Sequence, residues 1–327
     1  MSDSMTLSRK LKMIFPKTNV LPYLSLLISI LAISMGIFFI RWAKAPGPVS
    51  ATYRMGLALF FQLPYLFFLQ RKQSARPKVK WSGFALLAGV SMGLNLVLWS
   101  TAVLQTKVAN ASLLTNSAPI FVALFSWFFL RKRLGPLFWL GLILAVAGMA
   151  IVIGMDFILE PSLSQGNLLA LASAVFYGGY YLFVARSRED KGTFNTVLFM
   201  QVGATVVLGT YCVVAGLPLS GYSSNTWLMF CLNALITQVI GYLAMTYALG
   251  HLPAWVISPT MILQPVLTAL LAIPIMGEAL RWNQIVGGII VILGIYLVNR
   301  TNSARRSVDY GSGGEIAPRN HPVVKRP

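Results

Sequence analysis

Ten apolar runs follow one another along this chain, near 22–40, 50–70, 82–103, 109–130, 136–155, 167–185, 193–216, 226–249, 254–276 and 282–299. A helical run of about 20 residues matches the roughly 30 Å hydrocarbon core of a bilayer, and a helix satisfies its backbone groups without water. The expected fold class is an all-α membrane protein with ten transmembrane helices. Composition points the same way: 57 % of the 327 residues are hydrophobic and 10 % are charged, whereas soluble domains carry about a quarter charged residues. The breaks between runs leave no room for an extramembrane domain, so function must reside in the bundle. The first run is too long for a signal-peptide h-region and lacks an A-x-A-like exit, so no cleaved leader is expected.

A net charge of +18 would suggest nucleic acid as the partner of a soluble chain, but here the positions of the cations decide. All 26 Lys and Arg except Arg41, Lys44, Arg54, Lys107 and Arg281 fall on the tails or on alternate loops, around 71–80, 131–133 and 186–191. The positive-inside rule then puts both termini in the cytoplasm. A multi-pass protein of a bacterial inner (plasma) membrane is expected, with the bilayer and a small-molecule substrate as partners. Nucleic acid is not expected, and a homodimer is compatible with the pattern. The C-terminal segment TNSARRSVDYGSGGEIAPRNHPVVKRP has no apolar period to bury and reads as a disordered cytoplasmic tail.

The two halves of the chain repeat. A shift of 146 places Ala102 on Ala248, Ser112 on Ser258, Pro119 on Pro265, Ala123 on Ala269, Leu134 on Leu280, Gly141 on Gly287 and Gly148 on Gly294. To within a residue, the same frame sets Arg54 opposite Gln201. Each half is then a five-helix unit, and because five is odd the copies must cross the membrane in opposite senses, the inverted-repeat plan of many secondary transporters. The loop after the fourth run carries Arg131, Lys132 and Arg133, while its copy after the ninth carries Gly277, Glu278 and Ala279. Opposite charge rules on the two faces explain the difference. The boundaries expected are an N-tail over 1–21, repeats over 22–155 and 166–299, and a C-tail over 300–327.

The stretch STAVLQTKVANASLLTNSAPIFVALFSWFFLRKRLGPLFWLGLILAVAGMAIV resembles one EamA-type domain of the drug/metabolite transporter superfamily. Its counterpart TYALGHLPAWVISPTMILQPVLTALLAIPIMGEALRWNQIVGGIIVILGIYLV resembles a second, keeping Gly277, Glu278 and Leu280. ATYRMGLAL is similar to the family's second span with its membrane-edge arginine, here Arg54. Arg131 and Lys132 depart from the family's Gly-Glu at the first turn. The resemblance covers roughly 22–299 and implies a ten-span carrier, usually an exporter, with a central cavity between its repeats. It does not imply which solute is carried.

Every acid lies in a loop, a tail or at a helix end, so no mid-membrane carboxylate is available as a proton relay. Glu278, read as a helix-end charge, is not expected to be an obligatory proton carrier. His251 reads as an interfacial loop residue, and Cys212 and Cys231 as small hydrophobes within apolar runs. No cluster has metal spacing and no nucleophile–base set falls within reach. No catalytic residue, metal, cofactor or enzymatic activity is expected.

What remains is neutral and polar. Ser91, Asn95 and Trp99 share one helix face, as do Ser112, Asn116 and Pro119. Ser173, Tyr177 and Tyr180, then Gln201, then Gln238 and Tyr242, and Thr260, Gln264 and Thr268 follow on later runs. An amide facing lipid would be unsatisfied, so these faces should turn inward, to line a cavity or to hydrogen-bond between helices. The expected substrate-binding set is Asn95, Trp99, Asn116, Tyr177, Tyr180, Gln201, Gln238, Tyr242 and Gln264. Pro119 and Pro265 should kink equivalent spans. The function expected is secondary transport of an amino acid or similar metabolite by alternating access, with export as the direction; a lipid-intermediate flippase or channel-like pore is the alternative.

Overall fold

The computed structural model describes residues 20–72, 82–106, 108–129, 131, 134–153, 165–277 and 281–311. Glu278 and Lys132, and most of the proposed tails, lie outside the described residues. Among those described, the chain is helical and turn throughout, with no strand.

The first half forms α1 (Leu21–Ala43), α2 (Gly47–Lys72), α3 (Gly83–Gln105), α4 (Val108–Thr115), α5 (Ala118–Phe128) and α6 (Pro136–Ile153). The second forms α7 (Gln165–Asp190), α8 (Thr193–Val214), α9 (Ser224–Leu232), a π-helical segment (Asn233–Gly241) and α10 (Tyr242–Leu249). It ends with α11 (Ala254–Thr260), α12 (Leu263–Met276) and α13 (Trp282–Gly311). Eight stretches among the described residues are long and apolar enough to cross a membrane: Leu21–Ala43, Gly83–Gln105, Ala111–Phe128, Gln165–Glu189, Thr193–Val214, Ser224–Leu249, Ala254–Met276 and Trp282–Arg300. Pro136–Val152 is a shorter apolar helix. The run expected at 50–70 lies in α2, a 26-residue helix that also carries Arg54 and Gln62.

Three apolar runs are not uniform helices. The run at 109–130 breaks between α4 and α5 at Asn116 and Ser117, and the run at 254–276 between α11 and α12 at Met261 and Ile262. The expected kinks have a local cause: Pro119 and Pro265 have no N–H to give to the carbonyl four residues back. The chain tightens there into short turns, with Ser117 N–H donating to the Leu114 carbonyl at 3.2 Å and Gln264 N–H to the Met261 carbonyl at 3.0 Å. The third interruption is the π segment. At the C-terminus, α13 runs on to Gly311, so the boundary expected at 300 falls inside a helix.

Cross-links bring the helix ends into two groups. At one end Arg41 donates to the Met276 sulfur at 3.2 Å, Thr226 to the Ala43 carbonyl at 2.9 Å, and Asn283 to the Ile151 carbonyl at 3.2 Å. At the other, Ser187 bridges Ser82 and Thr196 at 2.8 and 3.0 Å, and Arg188 donates to the Thr246 carbonyl at 3.1 Å. These are called the Arg41 end and the Arg188 end below.

Between them α3 lies against α7 and α8, α1 against the π segment and α10, and α2 against α8. Their shared core contains Ile30, Met55, Met92, Tyr180, Tyr181, Met200, Tyr242, Met245 and Ile257. Helices α6 and α13 pack lengthwise against each other. Small residues let their backbones approach: a Cβ on Gly141 would stand 2.7 Å from the Gly294 carbonyl oxygen, and one on Gly148 2.7 Å from that of Gly287. The outer faces of this pair carry exposed Leu140, Ile143, Ile289, Ile292 and Leu293, a surface suited to lipid.

Candidate substrate cavity

A cavity of about 580 Å³ extends inward from the Arg41 end. It is walled by α1 through Ile33, Ile37 and Phe38, by α3 through Asn95 and Trp99, by α7 through Tyr177 and by α10 through Tyr242. The two broken helices face each other across it, with Ser112, Thr115 and Asn116 from α4 and its break, and Gln264, Pro265 and Thr268 from α12. A kinked helix leaves backbone groups and short polar side chains at mid-depth, which is where carriers with discontinuous helices bind their solutes. Apolar walls with a few converging polar groups are also the usual make-up of a small-molecule site.

Of the residues expected to bind substrate, the structure brings Asn95, Trp99, Asn116, Tyr177, Tyr242 and Gln264 to this cavity. Asn95 donates its amide to the Ser173 carbonyl at 2.9 Å, and Asn116 to the Ser112 carbonyl at 2.8 Å. Each amide NH₂ is thereby engaged with backbone. The Gln264 carbonyl accepts from Ser34 of α1 at 3.3 Å, which ties the broken helix to the opposite wall.

Tyr180, Gln201 and Gln238 are placed elsewhere. Tyr180 is fully buried one turn beyond Tyr177, its ring against Tyr177, Tyr181 and Tyr242. Gln201 is fully buried on α8 and accepts from Gln62 of α2 at 2.9 Å. Gln238 sits on the π segment, fully buried, with no partner for either amide atom among the described residues. All three point inward as expected, but into helix–helix contacts. Ser173 does the same, bonding Thr115 at 2.6 Å.

Among the lining residues outside the expected set are two cations, Arg41 at the mouth and Arg54 deeper in. Arg54 is only 7 % exposed and its Nε has no hydrogen-bond partner. The lining contains no Asp or Glu among the described residues. The available signal was position, since Arg54 lies inside an apolar run with no acid near it in sequence.

A second cavity, of about 900 Å³, opens at the Arg188 end. Phe84, Phe125, Leu182, Phe183, Leu252 and Trp255 make it largely apolar and aromatic. Arg186 on its rim pairs with Glu189, and Arg188 is bonded to backbone. His251, also on this lining, has its Nδ1 2.8 Å from the Tyr247 carbonyl and its ring against Tyr247, in keeping with a loop residue. Along α7, Tyr177 faces the first cavity and Gly179, Leu182 and Phe183 the second, while Tyr180 and Tyr181 in the same stretch are buried in the core.

Polar pockets between broken helices are a make-up shared by many solute transporters. The particular family follows from comparison: the profile of the EamA-like transporter family matches residues 20–154 and again 164–300, and the chain belongs to that family. An uncharacterized transporter of Clostridium kluyveri is 25 % identical over 65 % of this chain and 70 % of its own. Transporter YyaM of Bacillus subtilis, also uncharacterized, is 24 % identical over 75 % of this chain and 82 % of its own. The pseudopaline exporter CntI of Pseudomonas aeruginosa is 26 % identical over 66 % of this chain and 74 % of its own. One solved crystal structure, 18 % identical, superposes with a TM-score of 0.73 over 87 % of this chain and 98 % of its own, which establishes a shared fold.

Proposed function

We propose that this protein exports a small metabolite, an amino acid or a similar solute, by alternating access around the central cavity. The observation that carries the reading is the pair of cavities at the two ends of the bundle, both lined in part by α7. The one at the Arg41 end has amides, aromatic rings and arginine to hold a polar solute, and in this reading the buried Tyr180 and Tyr181 belong to the packing that keeps it apart from the one at the Arg188 end.

The moving parts in this reading are two inverted five-helix repeats, over 22–155 and 166–299. Their support is a reciprocal contact. Gly141 corresponds to Gly287 and Gly148 to Gly294, yet Gly141 meets Gly294 and Gly148 meets Gly287, with hypothetical Cβ contacts of 2.7 Å from each residue of the first half and 2.6 Å from each of the second. A two-fold axis between α6 and α13 requires that exchange of partners. The positions of the two helix breaks repeat it. On this plan the Arg188 end is cytoplasmic and the Arg41 end faces outward, in accord with the loop cations. Export is favoured by the relative that is named an exporter.

Counterflow in proteoliposomes tests the proposal. Saturable exchange of at least one labelled amino acid or related zwitterion is expected. Non-saturable flux would point to a pore, and transfer of a fluorescent lipid without solute exchange to a flippase.

A further inference from the structure

The deepest cation of the central cavity has no counter-ion among the described residues. Arg54 is 7 % exposed, its Nε is unbonded, and no carboxylate is paired with it among the described residues. A guanidinium so far out of water is costly unless an anion completes it. In the aligned halves its place is taken by Gln201, wholly buried and bonded to Gln62 at 2.9 Å. Positive charge therefore reaches this depth from one half only, and a solute held there is oriented.

A hydroxyl donor lines the same cavity. The Tyr177 hydroxyl accepts from Tyr181 at 3.2 Å, which leaves its own proton to give into the cavity. Tyr177 and Tyr242 line the same cavity as Arg54.

We infer that Arg54, assisted by the Tyr177 hydroxyl, is the recognition point for a carboxylate group of the transported solute, an inference that rests on the solute-transport reading of this cavity. The planar fork of the guanidinium matches two carboxylate oxygens. With Arg41 at the mouth, the one cation at this depth neutralises one negative charge, whereas a phosphate dianion held by Arg54 would keep an uncompensated charge in a low-dielectric site. The walls beyond it, from Ile33, Ile37, Phe38, Leu96 and Trp99, suit an apolar remainder.

The test uses full-length protein in nanodiscs, titrated by scanning fluorimetry with L-leucine, L-phenylalanine, 4-methylpentanoate, the amide of each, and phenyl phosphate. Wild type is compared with Arg54→Gln and Arg54→Lys. At least one carboxylate is expected to raise the wild-type melting temperature while its amide does not. Arg54→Gln should bind that carboxylate at least about ten-fold more weakly, a loss of the size that one charge-assisted contact supports, and Arg54→Lys should fall between. Empty Arg54→Gln should melt no lower than wild type, because it removes a buried charge; a purely structural arginine would lower it.

Equal binding of a carboxylate and its amide overturns the inference. So does unchanged affinity in Arg54→Gln, binding of phenyl phosphate alone, or silence of every probe on wild type. If Arg54→Gln does not fold, the carboxylate–amide comparison on wild type decides. Proteoliposome counterflow on the same preparation shows separately whether the transport reading stands.

Discussion

Tyr180 and Asn116 show what an inward-facing polar residue can mean at the scale of a side chain. Tyr180 is fully buried with a hydroxyl that has no partner, so Tyr180→Phe should leave solute affinity unchanged and hold or raise the melting temperature, since an unsatisfied buried group costs about 1–3 kcal/mol. Weakened solute binding in that variant would return Tyr180 to the site. Asn116 and Gln264 line the cavity from the two broken helices. Asn116→Ala and Gln264→Ala should each weaken solute binding by about 1–3 kcal/mol with little change in melting temperature; lower stability with intact affinity would mark them as structural. Helical spacing made the amides and tyrosines legible as inward-facing. It could not separate cavity from helix contact, because both lie inward, and so it grouped Gln201, Gln238 and Tyr180 with the lining. Arg54 was missed as a lining residue because it was counted with the charges at the membrane edge, and only the packing around it reveals its burial.

Among the elements, the α6–α13 pair and the two broken helices carry the sharpest forecasts. A methyl group on Gly148 would meet the Gly287 carbonyl oxygen at 2.7 Å. Gly148→Ala should therefore cost about 1–3 kcal/mol by overpacking, read as a fall in melting temperature; an unchanged value would mean that the helices can separate without penalty. Pro119→Ala and Pro265→Ala restore an N–H and permit a straighter helix, so transport should slow while stability holds or rises. Faster transport with an intact fold would contradict a role for the breaks. The sequence was informative here because proline removes a specific hydrogen bond. It was silent about the π segment Asn233–Gly241, whose residues are ordinary for a helix and which packs against α1 and α2. The continuation of α13 to Gly311 was hidden for a related reason: polar residues without proline or an early glycine lack a core to bury, but nothing in them stops a helix already running.

For the whole molecule, the all-helical, multi-span character was close to the surface of the sequence, because bilayer thickness fixes the length of an apolar run; eight stretches among the described residues are long and apolar enough to cross, and Pro136–Val152 is a shorter apolar helix. The direction of each half came from charge, and it can be checked directly. Lys44→Cys should react with an impermeant maleimide on intact cells and Ser303→Cys only after permeabilisation; equal reaction of both from outside would contradict the orientation. Transport itself is tested most directly at the mouth of the cavity, where Arg41 touches the Met276 sulfur at 3.2 Å. In protein lacking Cys212 and Cys231, Arg41→Cys and Met276→Cys are combined, joined by a short bifunctional thiol reagent with a reducible spacer, and assayed for counterflow. Alternating access predicts saturable counterflow before cross-linking, its loss when the mouth is fixed and its return on reduction. Counterflow that continues unchanged through the cross-linked protein would contradict the account.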